Sequence, residues 1–176
     1  MIKIEVYKFM KEMDLYKNEN ESFEGYFERI HNILPNWPKE VLEEWLYRHN
    51  DQIDDYFFLQ FDKFKFSLEK WNNKKIINEI NSYKMEHIID PLGLQILDKP
   101  SSFLQKYIYK NGTWPSPIII LKNKKSILVK NNEMLGNPHH LLEGHLRLGY
   151  IRNLYKNNRE LNEEHLVYVV RKVEDK

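Results

Sequence analysis

His139-His140-Leu141-Leu142-Glu143-Gly144-His145-Leu146-Arg147-Leu148-Gly149-Tyr150-Ile151-Arg152 is the stretch on which the reading of this chain turns. His140-Leu141-Leu142 is a short apolar run of the kind that forms a buried strand. Gly144 breaks it. Leu146, Leu148, Ile151 and Leu154 then continue as the apolar positions of a helix. The stretch predicts a strand, a tight turn and a helix. Glu143, His145 and Arg147 crowd around the glycine, and nowhere else do titratable side chains gather at such a break.

Those residue types suit an anion. A strand that turns into a helix points backbone N–H groups and the positive end of the helix dipole at the turn. Gly144 admits a positive φ or a close approach of phosphate to the backbone. Arg147 is suited to clamp phosphate oxygens as a bidentate fork. His145 can donate to a phosphate or move a proton near neutral pH. Glu143 is the candidate general base or magnesium ligand. Together they fit nucleotide binding, phosphoryl transfer or phosphodiester hydrolysis. The plainer reading makes Gly144 a hinge, Glu143 a carboxylate at a helix start, and His145 and Arg147 solvated. Neighbours on a strand point to opposite faces and there is no cysteine, so His139, His140 and His145 are assigned no metal. Arg152 reads as a surface helix charge, and Lys122, Lys124 and Lys125 as a solvated basic loop.

On either side the pattern is that of a small α/β unit. Pro117-Ile118-Ile119-Ile120-Leu121 is a β-branched run bounded by turn residues, hence a buried strand. Ser126-Ile127-Leu128-Val129 is a candidate second strand, and Leu166-Val167-Tyr168-Val169-Val170 a final one. Towards the N-terminus the texture is helical. Residues 2–14 read as a helix or a strand start. Ser22 caps a helix carrying Phe23, Tyr26, Phe27, Ile30, Ile33 and Leu34, which Pro35 ends. A second helix starts at Pro38 and runs to His49-Asn50. A third begins near Asp51, and a fourth is capped by Asn72 and carries Ile76, Ile77 and Ile80. Phe61, Phe64 and Phe66 leave the period ambiguous. The aromatic stripe along this half reads as core. Pro91, Gly93 and Pro100 mark a seam across Ile88–Ser102, Phe103–Tyr109 is a short helix, and Asn111-Gly112 a turn. The expected class is α+β: a mainly helical part over residues 1–89, packed on a mixed α/β unit over residues 90–176.

Composition bounds the rest. The chain has 176 residues, 41% hydrophobic and 14% aromatic, which suits a packed core. No apolar run reaches the length of a membrane span. The charged N-terminus does not read as a signal peptide, and a cytoplasmic location is the expectation. The absence of cysteine excludes disulfides, thiolate metal sites and cysteine redox chemistry. The net charge of +1 conceals an uneven split. Residues 1–98 hold 13 Lys and Arg against 19 Asp and Glu, and residues 99–176 hold 14 against 7. An acidic helical part and a basic part that meets anions is one meaning; two mutually attracting halves is the other.

The run Leu141-Leu142-Glu143-Gly144-His145-Leu146-Arg147-Leu148 resembles the signature of the ParB/sulfiredoxin superfamily, in which a strand enters an acidic-Gly-His-x-Arg-like turn followed by a helix. Pro117-Ile118-Ile119-Ile120 and Leu166-Val167-Tyr168-Val169 stand where that family has its flanking strands. The likeness covers about residues 90–172. It implies a bacterial nucleotide-binding domain. Gly144, His145 and Arg147 would contact phosphate of an ATP, ADP or CTP-class nucleotide with magnesium, and Glu143 and His145 would be the acid/base residues. The family includes DNA-segregation clamps, sulfinic-acid reductases, a free-serine kinase and nucleases. This chain lacks the reductase cysteine, the doubled-arginine box of the clamps and a following helix-turn-helix. A phosphotransferase or hydrolase, or a fold kept for binding only, is left as the expectation, with a nucleotide or phosphorylated small molecule as its partner. The alternatives are a non-enzymatic immunity or antitoxin-type module that binds a protein partner, and a nucleic-acid binder working through the basic C-terminal half.

Overall fold

The computed structural model describes residues 12–82, 85–123 and 135–173. Among them are seven α-helices and a five-stranded mixed sheet, so the chain is of the α+β class. No helix among the described residues is long and apolar enough to cross a membrane. The expected strand over Ser126–Val129 and the pattern of residues 2–11 lie outside the described residues.

The chain divides into two units. The first comprises residues 1–66 and 170–176, the second residues 67–169. The change of texture in the sequence comes later, near residue 90, because residues 67–89 mix strand and helix.

In the first unit, α1 (Phe23–Ile33) begins where the Ser22 side chain accepts a hydrogen bond from the Gly25 N–H at 3.3 Å. It buries Tyr26 and Ile30. α2 (Lys39–Val41) follows Pro38 and continues as a π-helical turn, Leu42–Tyr47, in which the Arg48 N–H donates to the Glu43 carbonyl. The wider turn buries Leu42, Trp45 and Leu46. The third expected helix is a 3₁₀ helix, Asn50–Leu59, that buries Ile53, Phe57 and Leu59. Trp37 centres the core of this unit. Its ring lies 5.6 Å from Trp45, 5.2 Å from Phe61, 5.9 Å from Phe64 and 4.9 Å from Phe66, and its indole N–H donates to the Phe61 carbonyl. Of the aromatic stripe, Tyr26, Trp37, Trp45, Phe57, Phe61 and Phe64 are core, while Phe23, Phe27 and Phe66 are half-buried.

The strands run in the order β1–β5–β3–β4–β2, with β1 Phe64–Asn72, β2 Ile80–Asn81, β3 Ile118–Lys122, β4 His139–Glu143 and β5 Glu164–Lys172. Two of the five fall within the part expected to be mainly helical. β1 is a nine-residue edge strand in which Lys65, Leu68 and Lys70 are all exposed, so exposure does not alternate along it. β2 has only two residues and leaves no period to read. It pairs parallel with β4, Ile80 opposite His139 and Asn81 opposite His140. β3 and β4 pair antiparallel, with a register shift between Ile119 and Ile120.

α3 (Asn73–Glu79) is capped by the Asn72 side chain, which accepts from the Lys75 N–H. α4 (Asp90–Gly93), α5 (Gln95–Asp98), α6 (Phe103–Asn111) and α7 (His145–Lys156) complete the helices. One core joins Ile118, Ile120, Leu141, Val167 and Val169 of the sheet to Leu148, Ile151 and Leu154 of α7. α7 reaches α4 through glycine. A Cβ on Gly149 would stand 2.7 Å from the Ile89 carbonyl oxygen, and one on Gly93 only 2.4 Å from the Gly149 carbonyl oxygen. Backbones that close exclude any side chain.

Candidate functional site

β4 ends at Glu143 and α7 starts at His145, with Gly144 between them at φ 100° and ψ 28°. That conformation disfavours any residue with a Cβ. The space beside it is also filled. A Cβ on Gly144 would lie 2.4 Å from Ile118 Cγ2 and 3.2 Å from Arg147 Nε. Both the left-handed backbone and the close packing of β3 therefore call for glycine. α7 begins without a side-chain cap, and the positive end of its dipole lies at the turn.

The structure brings all four residues singled out in the sequence together but gives them unequal exposure. Arg147 is not solvated and does not reach outward. It is 5% exposed, and its guanidinium donates to the Glu143 carboxylate, to the carbonyls of Ser116 at 2.9 Å and Pro117 at 3.3 Å, and to the Ser116 hydroxyl. A buried guanidinium demands such partners, because desolvation makes an uncompensated charge costly. Glu143 and Arg147 thus form an ion pair across the turn, one residue before it and three after it. The pair fastens the end of β4 and the first turn of α7 to the loop that enters β3.

His145 is half-buried, and its Nε2 lies 2.9 Å from the Ser82 hydroxyl oxygen. Ser82 directly follows β2, 63 residues earlier in the chain. Parallel β2 and β4 therefore deliver Ser82 and His145 to the same end of the sheet, their carboxyl ends. Ligands of open α/β sheets collect beyond such ends. Ser82 carries no signal in the sequence, since neither its neighbours nor a periodic pattern announces it. Only the register of β2 on β4 does.

His140, 1% exposed, accepts at Nδ1 from the Gly136 N–H at 3.0 Å. Burial, and secondarily the neighbouring His145, pushes its pKa down to about 4. His139 is 7% exposed and packs edge-on against Trp71 at 4.7 Å. Burial lowers its pKa as well. Both rings are buried parts of the sheet. Among the described residues no three His, Asp or Glu side chains are placed to hold a metal ion.

Arg152 departs from its expected place on the surface. It donates to the Ile77 carbonyl at 2.9 Å and faces Asp90 at 3.6 Å, and Lys156 meets the same carboxylate at 2.8 Å. It ties α7 to the chain before it, because its long stem crosses a helix surface that the sequence alone does not reveal. Lys122 is an exposed strand end, and Lys124 and Lys125 lie outside the described residues.

Protein-family models, characterised proteins and solved structures were all compared with this chain, and none matches.

Proposed function

We propose that the turn at Gly144 binds the phosphates of an ATP, ADP or CTP-class nucleotide in a ParB/sulfiredoxin-like domain, and that it supports phosphoryl transfer or phosphodiester hydrolysis. One observation carries the reading: a twelve-residue helix without a side-chain cap starts at a strand end, with the half-buried His145 as its first residue and a serine hydroxyl 2.9 Å away. The N–H groups of the first turn would cradle phosphate oxygens, and His145 would donate to one of them. Arg147 serves differently from the clamp that the sequence suggested. Its guanidinium faces Glu143 and the 116–117 carbonyls, so it holds the turn in shape and leaves the backbone to meet the anion. The donor set suits magnesium only as a companion of the nucleotide, since the Glu143 carboxylate is turned to Arg147 and magnesium characteristically enters with substrate phosphates. Bound there, the ion would neutralise charge on the transferring phosphoryl group.

Thermal-shift titration with ATP, ADP and CTP, with and without magnesium, tests the proposal. A nucleotide at about 100 times its Kd adds about 2.7 kcal/mol to native-state stability. The wild-type melting temperature should rise accordingly, and His145→Ala should lose most of the rise while keeping its own unliganded melting temperature. Equal shifts for both proteins, or none for either, overturn the reading.

The alternative of a protein-binding module draws on Phe103, which is 76% exposed at the first position of α6. It predicts a stoichiometric protein partner whose binding Phe103→Asp abolishes, with no nucleotide-dependent shift.

A further inference from the structure

Among the described residues, the fold places the Ser82 hydroxyl against the imidazole of His145 at this turn. Its oxygen is 2.9 Å from His145 Nε2, within the reach that proton transfer needs. Both partners are half-buried, which leaves them approachable yet shielded from bulk water. Neither is held by chance. Ser82 follows Asn81, which is in register with His140 of β4, and the Asn81 amide donates to the Asn137 carbonyl at 2.7 Å. His140 in turn accepts from Gly136. The segment just before β4 therefore grips β2 and β4 together and fixes the position from which Ser82 leaves the sheet. His145 is fixed from the other side by Gly144 and by the Glu143–Arg147 pair.

We infer that Ser82 is the nucleophile of this site and His145 its general base, so that the chain takes a phosphoryl group from a nucleoside triphosphate onto its own serine. The inference rests on the phosphate-binding reading given above. In the step, His145 Nε2 accepts the proton of the Ser82 hydroxyl, and the oxygen attacks the γ-phosphorus. The bond from that phosphorus to the oxygen bridging to the β-phosphate breaks. The products are phosphoserine at 82, a nucleoside diphosphate and a proton on His145. The helix start facing the turn is suited to the charge that spreads over the equatorial phosphate oxygens. An acceptor alcohol or water can later take the group from the serine, which would make the phosphoserine an intermediate of a phosphotransferase or of a hydrolase.

The full chain is incubated with ATP or CTP and magnesium, and intact mass and peptide mapping are followed in time alongside the thermal shift. The wild type should gain one phosphoryl group, mapped to Ser82. Ser82→Ala should gain none and still show the nucleotide-induced rise in melting temperature. His145→Gln, which retains a donor to phosphate, should phosphorylate roughly 100-fold more slowly, the typical scale of a lost general base. Nucleotide binding without modification of wild-type Ser82 overturns the nucleophile and leaves the phosphate-binding turn standing. Modification that persists in Ser82→Ala, or that proceeds at the wild-type rate in His145→Gln, overturns it equally. Absence of both binding and modification overturns the two readings together.

Discussion

The two units of the chain build their interiors from different materials. In the first, the interior is aromatic and aliphatic: Trp37, Trp45, Phe57, Phe61 and Phe64 are all nearly inaccessible. The second also has an apolar core, around Ile118, Ile120 and Ile151, yet it holds every buried polar or charged side chain among the described residues. These are Gln105, Asn123, His139, His140, Arg147, Asn153 and His165. An apolar side chain gains free energy on burial wherever it fits. A buried polar group breaks even only when its partners are in place. His165 illustrates the requirement, with Thr113 at one ring nitrogen and Asn73 at the other, each 2.9 Å away. Two of the buried polar residues, His140 and Arg147, stand beside the Gly144 turn. The second unit buries more polar side chains, and their hydrogen-bonded framework shapes the candidate site; the first sets its aromatic core among fewer such ties, Tyr26 to the Leu15 carbonyl and Arg29 to Glu21 among them.

The sharpest way to break this contrast is to delete one anchor from each unit. Arg147→Ala should cost about 3–5 kcal/mol, because it removes the guanidinium that pairs with the Glu143 carboxylate in a partly buried place. Trp37→Ala should cost a similar amount, about 3–5 kcal/mol, through the cavity it opens. Chemical denaturation measures both. A second substitution separates them: Glu143→Ala in the Arg147→Ala background should recover part of the loss, since the carboxylate that paired with Arg147 is then gone too. Recovery of nothing would mean that Arg147 acts by packing, like Trp37.

A smaller effect is expected from pH. Burial takes the pKa of His140 and of His165 down to about 4 in the folded protein. In the unfolded chain a histidine titrates near about 6.5. Below that value the unfolded state binds protons that the folded state refuses, so stability is full above about pH 6.5 and is lost as pH falls towards 4. Unfolding free energy should drop by about 2 kcal/mol between pH 7 and pH 5, discounting for relaxation around the rings. A flat profile over that window would show that the framework admits charge and is looser than its hydrogen bonds imply.

The smallest expected effect tests a local contribution in the first unit. Ser22→Ala removes the cap of α1 and should cost about 1 kcal/mol, with no effect on nucleotide-induced stabilisation. A change in ligand response would show that the two units do not act independently.

Much of this was legible in the residues. Ser22 before an apolar period, Asn72 before another, and the β-branched run at Ile118–Leu121 each carry their own instruction: a side chain that satisfies a nearby N–H, or a spacing that suits one buried face. The strand, glycine and helix of 139–156 were written in the same local terms. β1 was not, because charged side chains interrupt its alternation. β2 was too short to show a period. The 3₁₀ and π turns escaped because their difference from α lies in which carbonyl each N–H selects.

By itself, then, the sequence determined the strand, the glycine break and the helix, with the set of groups around them, since periodicity and a helix-breaking glycine act through neighbours along the chain. Tertiary structure alone decided what those groups face. It turned Arg147 inward to Glu143 and Ser116, packed Ile118 beneath the glycine, and set Ser82 against His145 across 63 residues. The physical reason is one of range. Helix caps and periodicity act within a few residues, while the partner of a buried charge or of a hydroxyl is chosen by strand register and by the cost of leaving it unmatched.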